Sequence, residues 1–287
     1  MASYIGRRKF LATLLGGAAA ARPLAARAQQ SVTKMPRIGI IGEAAIWDHF
    51  RKGLRDFGYM EGRNVTIEYR STEERPDQLA AAATELARLP VDVFVTYGSP
   101  ATQAAKQATT TIPIVMAGTG DPIRAGFVAS LAHPGGNITG NSILGPEVGV
   151  KRLQLLKLAV PTMLRAAFLW NPNNASHPAY LDEWKAVAPA LGVEMLFVAV
   201  RSSDEFDTAF AAMMRERPDA FTMTTDSLHQ LHIGWIIDFL ARNRLPGAYQ
   251  VRENVVAGGL MSYGTSFPDL FRRAAGYVHK ILLLSRS

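Results

Sequence analysis

Short apolar runs alternate with helical patterns along most of this chain, and that alternation constrains the fold more than any other feature. The run at residues 37–41 (RIGII) is followed by four apolar residues at spacings of three and four, the period of an amphipathic helix: Trp47, Phe50, Leu54 and Phe57. The central run at residues 114–116 is apolar throughout, as in strands buried on both faces. Strands and helices alternating at this interval predict βαβ units on parallel sheets.

A glycine-rich break near the middle divides the pattern into two halves of similar size. The break at residues 133–137 (HPGGN) precedes a restart at residue 138, which we interpret as the passage between two α/β lobes. We therefore predict an N-terminal lobe over residues 36–140 and a C-terminal lobe over residues 141–265. The last predicted helix, within residues 266–287, is expected to pack back near the connection between the lobes.

Composition excludes several classes of protein. The chain has 287 residues, 48% of them hydrophobic and 19% charged, which is typical of a globular protein. Five of the seven net positive charges fall within residues 1–28, which contain no acid, so the remainder carries only +2. This balance argues against a nucleic-acid partner. With no cysteine, the chain has no disulfide and no thiolate metal site.

The first residues are typical of an export signal. Arg7 and Arg8 precede a mildly apolar run over residues 10–21, and a small-x-small pattern at residues 26–28 precedes Gln29. The run is too short to cross about 30 Å of hydrocarbon as a helix. We predict a twin-arginine signal peptide over residues 1–28 and a periplasmic mature protein, the alternative being an amphipathic N-terminal tail.

Short polar side chains follow the predicted strands in both halves, beside glycine or proline. They are Ser99, Thr102, Thr119, Asp121, Asn171, Asn173 and Asp226, and Tyr249 completes the candidate set. Ligands of open parallel sheets bind beyond the carboxyl ends of the strands. Helices beginning at Pro100 and after Asn173 would direct free N–H groups at a carboxylate, and Asp226 would pair with an ammonium or cap a helix ahead of Leu228. A carboxylate with an ammonium indicates an amino acid.

The enzyme alternative has little support from the residues. There is no G-x-S-x-G sequence, the glycines of residues 39–42 lack dinucleotide-binding spacing, and His229 with His232 lacks a third metal ligand. We predict no catalytic residue, no metal and no cofactor. A hydrolase or isomerase using Asp121 and Asp226 remains the alternative. A repressor with the same lobes would need a helix-turn-helix where the signal peptide lies.

Several motifs resemble one family over about residues 37–281. They are IPIV at 112–115, GDP at 120–122, VASLAHPGGNITG at 128–140, GLRDFGY at 53–59 with EG at 61–62, WNP at 170–172, GGLMSYG at 258–264 and PDLFRR at 268–273. The chain is similar to ABC-transporter substrate-binding proteins of the tryptophan or tyrosine type.

That resemblance implies the fold class and the partners. The fold would be α/β, with two doubly wound parallel-sheet lobes joined by a hinge, like type I periplasmic binding proteins. The loops holding Ser99, residues 119–121, residues 171–173 and Asp226 would face the cleft. The protein would be a monomer that is not an enzyme, binds an aromatic or branched amino acid and delivers it to an ABC permease in the inner membrane.

Two departures from the family pattern matter. The loop at residues 42–46 is short and leads almost directly into Trp47, which would be a lid over the cleft or part of the core; we favour the core. The final helix runs into apolar residues 282–284 without a stop pattern, whereas relatives continue for a few dozen residues. We therefore expect the C-terminal part to be truncated or altered by a frameshift.

Overall fold

The computed structural model describes residues 35–41, 47–70, 72, 76–143 and 146–285. The predicted signal peptide at residues 1–28 and the loop at residues 42–46 lie outside these ranges. Within them, no helix combines the length and the apolar character needed to cross a membrane.

The first sheet contains five parallel strands in the order β2-β1-β3-β4-β5. The strands are β1 (Arg37–Ile41), β2 (Thr66–Arg70), β3 (Val93–Tyr97), β4 (Ile114–Thr119) and β5 (Ile138–Ser142). The helices between them are α1 (Asp48–Asp56), α2 (Pro76–Arg88) and α3 (Ser99–Ala108). The predicted lobe boundary at residue 140 lies within β5, which carries the first sheet to Ser142.

The second sheet is also parallel, in the order β10-β9-β8-β6-β7. Its strands are β6 (Arg165–Trp170), β7 (Glu194–Ala199), β8 (Ala220–Met223), β9 (Gly247–Tyr249) and β10 (Met261–Ser262). Its helices are α4 (Pro146–Ala159), α5 (His177–Val187), α6 (Phe206–Arg215), α7 (Ser227–Leu231), α8 (Ile233–Arg242) and α9 (Arg252–Val256). Short 3-10 turns occupy Ala188–Leu191 and Ser203–Glu205.

The last helix, α10 (Phe267–Leu284), returns to the first lobe. It packs beside α1 so closely that a Cβ added to Gly53 would lie 2.9 Å from the Cβ of Ala275. Leu270 and Phe271 join the same apolar cluster as the first sheet. The chain therefore passes between the lobes twice, once after β5 and once after β10.

Apolar clusters cover both faces of each sheet, which explains why the inner strands β3, β4 and β8 are buried along their whole length. Trp47 is fully buried in one of these clusters. Its ring packs edge-on against Phe50 and Phe271, with centroids 5.7 and 5.0 Å away. The interpretation of Trp47 as a core residue is confirmed.

Candidate functional site

The two lobes touch at the carboxyl ends of their strands. The hydroxyl of Ser99, at the start of α3, lies 2.7 Å from the hydroxyl of Ser176, just before α5. A Cβ added to Gly120 would lie 2.4 Å from the Cβ of Ser176, and one added to Gly98 would lie 3.1 Å from the hydroxyl of Ser227. The loops after β3, β4, β6 and β8 therefore form an inter-lobe contact.

Thr102 and Thr119 support this contact from inside the first lobe. Both are fully buried. The Thr102 hydroxyl donates to the carbonyl of Gly98 at 2.9 Å and lies 2.9 and 3.2 Å from the hydroxyls of Thr96 and Thr119. Because a hydroxyl has one hydrogen, Thr102 accepts from the other two threonines. The network holds the Gly98 loop, so that Ser99 can contact the second lobe.

Asp121 has a local role in the turn after β4. Its Oδ1 accepts hydrogen bonds from the backbone N–H groups of Ile123 at 3.1 Å and Arg124 at 3.0 Å. The side chain is only partly buried. Asp121 therefore orders the backbone that follows Gly120 at the inter-lobe contact.

Asp226 is the most heavily bonded acid of the site, and it is 1% exposed. Its Oδ1 accepts from the Leu228 N–H at 3.1 Å, the cap of α7, and from Asn171 Nδ2 at 3.2 Å. Its Oδ2 accepts from Asn174 Nδ2 at 2.7 Å and lies 3.6 Å from His177 Nε2. The cap considered as an alternative role therefore exists, but it uses only one of these contacts.

His177 joins the ends of β6 and β8. Its Nδ1 accepts from the Asn171 N–H at 2.9 Å, which leaves the hydrogen on Nε2, 3.3 Å from the carbonyl of Thr225. Burial lowers the pKa of His177 to about 4, although the nearby Asp226 acts in the opposite direction. The imidazole is therefore neutral near pH 7, and its hydrogen bonds hold the ends of β6 and β8 together.

A second buried histidine flanks the same carboxylate. His229 is fully buried, and its Nδ1 lies 3.3 Å from the carbonyl of Thr224. Burial lowers the pKa of His229. Burial acts to raise the pKa of Asp226, but His229, His177 and the two asparagines outweigh it, and that pKa lies below its usual value. Asp226 is thus a carboxylate near pH 7.

Lowering the pH is expected to destabilise this cluster. An unfolded histidine binds a proton as the pH falls through about 6.5, whereas His177 in the folded protein stays neutral until about pH 4. The stability from His177 is therefore complete above pH 6.5 and is lost towards pH 4. Between pH 7.5 and 5.5 the free energy of unfolding should fall by about 1 kcal/mol from this residue alone.

Urea denaturation at the two pH values measures this effect. His177→Asn, whose Oδ1 can accept in place of Nδ1, should show a smaller pH dependence than the natural protein. Exposed His133 offers a matched control, since His133→Asn should leave the dependence unchanged. An unchanged dependence in His177→Asn would contradict the assignment.

Two helices begin at the inter-lobe contact without a side-chain cap. Neither Gly98 before α3 nor Ser176 before α5 provides a side-chain hydrogen bond to its helix. The hydroxyl of Ser176 instead contacts Ser99. The free N–H groups of helix N-termini carry partial positive charge and favour anions. The contact therefore combines the positive ends of two helix dipoles with the buried carboxylate of Asp226. In α5 the His177 N–H is bonded to the Asn174 carbonyl at 3.0 Å and Pro178 has no N–H, so the helix dipole rather than these two groups would attract an anion.

Two of the predicted residues lie apart from the others. Asn173 is exposed, with Nδ2 3.5 Å from the carbonyl of Arg201. Tyr249 is buried in the apolar core of the second lobe, with its ring 6.4 Å from that of Phe221, and burial raises its pKa. Tyr249 packs in this core rather than with the polar residues at the inter-lobe contact.

The predicted set of site residues lacks Asn174, Ser176 and His177. They follow Asn171 and Asn173 in the same loop, and His177 is the first residue of α5. The run of polar residues after β6 was the available pattern, since the first turn of a helix beyond a parallel strand faces a ligand cleft.

The two parallel-sheet lobes meet at the carboxyl ends of their strands and are joined by two crossings. This arrangement defines a hinged binding protein with the fold of type I periplasmic binding proteins. The family described as ABC transporter substrate binding protein matches residues 42–283. The chain belongs to this family, which confirms the resemblance inferred from the motifs.

Named relatives agree with this assignment. A tyrosine-binding protein of Clostridioides difficile (strain R20291) is 26% identical over 234 residues, covering 81% of this chain and 67% of the relative. A conserved domain protein from Vibrio cholerae has a TM-score of 0.78 and 26% identity, over 87% of this chain and 86% of that one. The ABC domain in complex with L-Trp from Streptococcus pneumonia has a TM-score of 0.77 and 25% identity, over 86% and 85%.

Proposed function

We propose that this substrate-binding protein binds an aromatic amino acid between its lobes and delivers it, as a monomer, to an ABC permease. The observation that carries the proposal is the buried Asp226 beside two uncapped helix N-termini. The relatives support the solute class, since one is named for tyrosine and another was solved with L-Trp.

The charges match those of an amino-acid zwitterion. Asp226 would receive the ammonium, and the first turns of α3 and α5 with the Ser99 hydroxyl would receive the carboxylate. Asn174 separates the two positions, because its Nδ2 donates to Asp226 and its Oδ1 accepts from the N–H of Ser176 at 3.1 Å. One amide side chain therefore spans the distance between the charge sites, a separation suited to the two charged groups of an amino acid.

Binding requires the lobes to separate and close again. Ser99 and Ser176 are in direct contact, so the solute would enter while this contact is open. The crossings after β5 and β10 would act as the hinge. The ligand would then stabilise the closed form by contacts with both lobes.

The hydrolase or isomerase alternative gains no support from the comparisons. Asp121 is engaged by the turn after β4, and Asp226 accepts three hydrogen bonds within the second lobe. We propose that neither acts as a general acid or base. Calorimetry with each of the aromatic amino acids tests the proposal. We expect one-to-one binding without turnover, and absence of heat for all of them would contradict it.

We propose that the chain reaches the periplasm through the twin-arginine pathway. The support is the arrangement of Arg7, Arg8, the short apolar run and the small residues at 26–28. Replacing both arginines by lysine keeps the charge and should abolish export, as measured by fractionation of the producing cells. Unchanged export of the double variant would contradict the twin-arginine route.

A further inference from the structure

The loop after β6 is closed by a hydrogen bond to an imidazole. The N–H of Asn171, the first residue after the strand, donates to Nδ1 of His177, the first residue of α5, at 2.9 Å. Both residues are buried. Between them, the N–H groups of Asn174 and His177 donate to the carbonyls of Asn171 at 3.1 Å and of Asn174 at 3.0 Å. His177 therefore fixes the path of the chain from the strand to the helix.

This loop carries three side chains of the inter-lobe site. Asn171 and Asn174 donate from Nδ2 to the two carboxylate oxygens of Asp226, at 3.2 and 2.7 Å. The hydroxyl of Ser176 lies 2.7 Å from that of Ser99 in the other lobe. A movement of the loop would therefore displace the amides on the carboxylate and the contact between the lobes at the same time.

The two ring nitrogens of His177 have different partners. Because Nδ1 accepts from the Asn171 N–H, the hydrogen of the neutral imidazole is on Nε2. Nε2 lies 3.3 Å from the Thr225 carbonyl and 3.6 Å from Asp226 Oδ2, and both distances are longer than the bond made by Nδ1. The geometry of the loop therefore depends on Nδ1 more than on Nε2.

The surroundings of the ring leave Nδ1 free to accept. The Thr224 hydroxyl lies 3.4 Å from Nδ1, but it donates to a backbone carbonyl of β6 at 3.3 Å. The rings of Tyr180 and His229 flank the imidazole, each with its centroid 6.3 Å away. Burial lowers the pKa of His177 to about 4, so Nδ1 carries no proton near pH 7. A hydrogen on Nδ1 would face the Asn171 N–H, and the bond that closes the loop would be lost.

We infer that His177 is the positioning residue of the ligand site, because Nδ1 closes the loop that holds two amides on Asp226 and Ser176 on the other lobe. It acts through these groups and not by touching the ligand. A side chain without an acceptor at the position of Nδ1 would leave the Asn171 N–H buried and unpaired, and the loop would move to satisfy that group. The inference rests on the proposed function, since it concerns the affinity for an amino acid held at Asp226.

Two amide substitutions separate the roles of the two nitrogens. His177→Asn places an oxygen near the position of Nδ1, whereas His177→Gln places its amide near the position of Nε2 and no acceptor near Nδ1. Calorimetry with L-tyrosine, L-tryptophan and L-phenylalanine measures each variant. For the amino acid that the natural protein binds, His177→Gln should weaken binding roughly 10- to 100-fold, the cost of a buried donor without its partner. His177→Asn should recover most of that loss, and the exposed control His133→Gln should bind as the natural protein does.

The outcomes separate this inference from the proposed function. Equal losses in the two variants, a loss in His177→Asn alone, or natural affinity in His177→Gln would overturn the positioning role and leave amino-acid binding intact. Binding of no amino acid by the natural protein would overturn both. Nitrogen NMR of the natural protein decides the matter even where a variant fails to fold. It should show coupling across the hydrogen bond from Asn171 to an unprotonated Nδ1 of His177, and a hydrogen on Nδ1 near pH 7 would overturn the inference.

Discussion

Replacing Asp226 by asparagine should weaken amino-acid binding by roughly 2–5 kcal/mol, the range for truncating one partner of a buried charged pair. The substitution removes the negative charge proposed to face the ligand ammonium, and it keeps an oxygen that can still cap α7 through Leu228. Calorimetry on the variant measures the loss, and urea denaturation measures any loss of stability. Asparagine caps nearly as well as aspartate, so the cap alone predicts little change in affinity.

The structure also identifies a side effect of this substitution and its control. The new amide N–H₂ would face the N–H₂ of Asn174, which donates to Asp226 at 2.7 Å in the natural protein. The exchanged pair Asp226→Asn with Asn174→Asp restores one carboxylate and one amide in contact, but moves the charge. We expect the exchange to recover stability and not affinity. Natural affinity in the single variant would contradict the ammonium site.

Replacing Gly120 by valine should reduce affinity by about 3 kcal/mol, the upper end for overpacking a closed contact. Even an alanine Cβ at this position would lie 2.4 Å from the Cβ of Ser176 in the other lobe. The variant can relieve that overlap by keeping the lobes apart, and then contacts from both lobes to the ligand are lost. Calorimetry would measure the affinity, and small-angle scattering would show a larger radius of gyration.

Gly136→Val is the matched control for this effect. A Cβ at Gly136 meets nothing within 4 Å, so this variant should bind as the natural protein does. Both variants should melt near the natural temperature, because neither glycine lies within a sheet or helix. Natural affinity in Gly120→Val would show that binding does not depend on the contact between Gly120 and Ser176.

The fold could be predicted from sequence because burial on both faces leaves a strong pattern. Strand β1 was predicted with its observed bounds, and the apolar stripe from Trp47 to Phe57 predicted the helix observed as α1. Helices α7 and α9 were not predicted, because a helix of five residues is too short to repeat the period.

The polar residues of the site were predicted only in part, for a geometric reason. Side chains alternate between the faces of a strand, and Tyr249 lies on the face of β9 that packs into the core. A shift of one residue therefore exchanges a core position for a site position. Ser176 was missed because its role depends on Ser99 and Gly120, which approach it only in the folded protein.

Recovery of a bound solute tests the central claim most directly. The mature protein would be incubated with an equimolar mixture of amino acids, separated from unbound solutes and denatured, and the released solute would be identified by mass spectrometry. We predict one aromatic amino acid, chemically unaltered and close to one per chain. Release of no amino acid, or of a chemically altered product, would contradict the account.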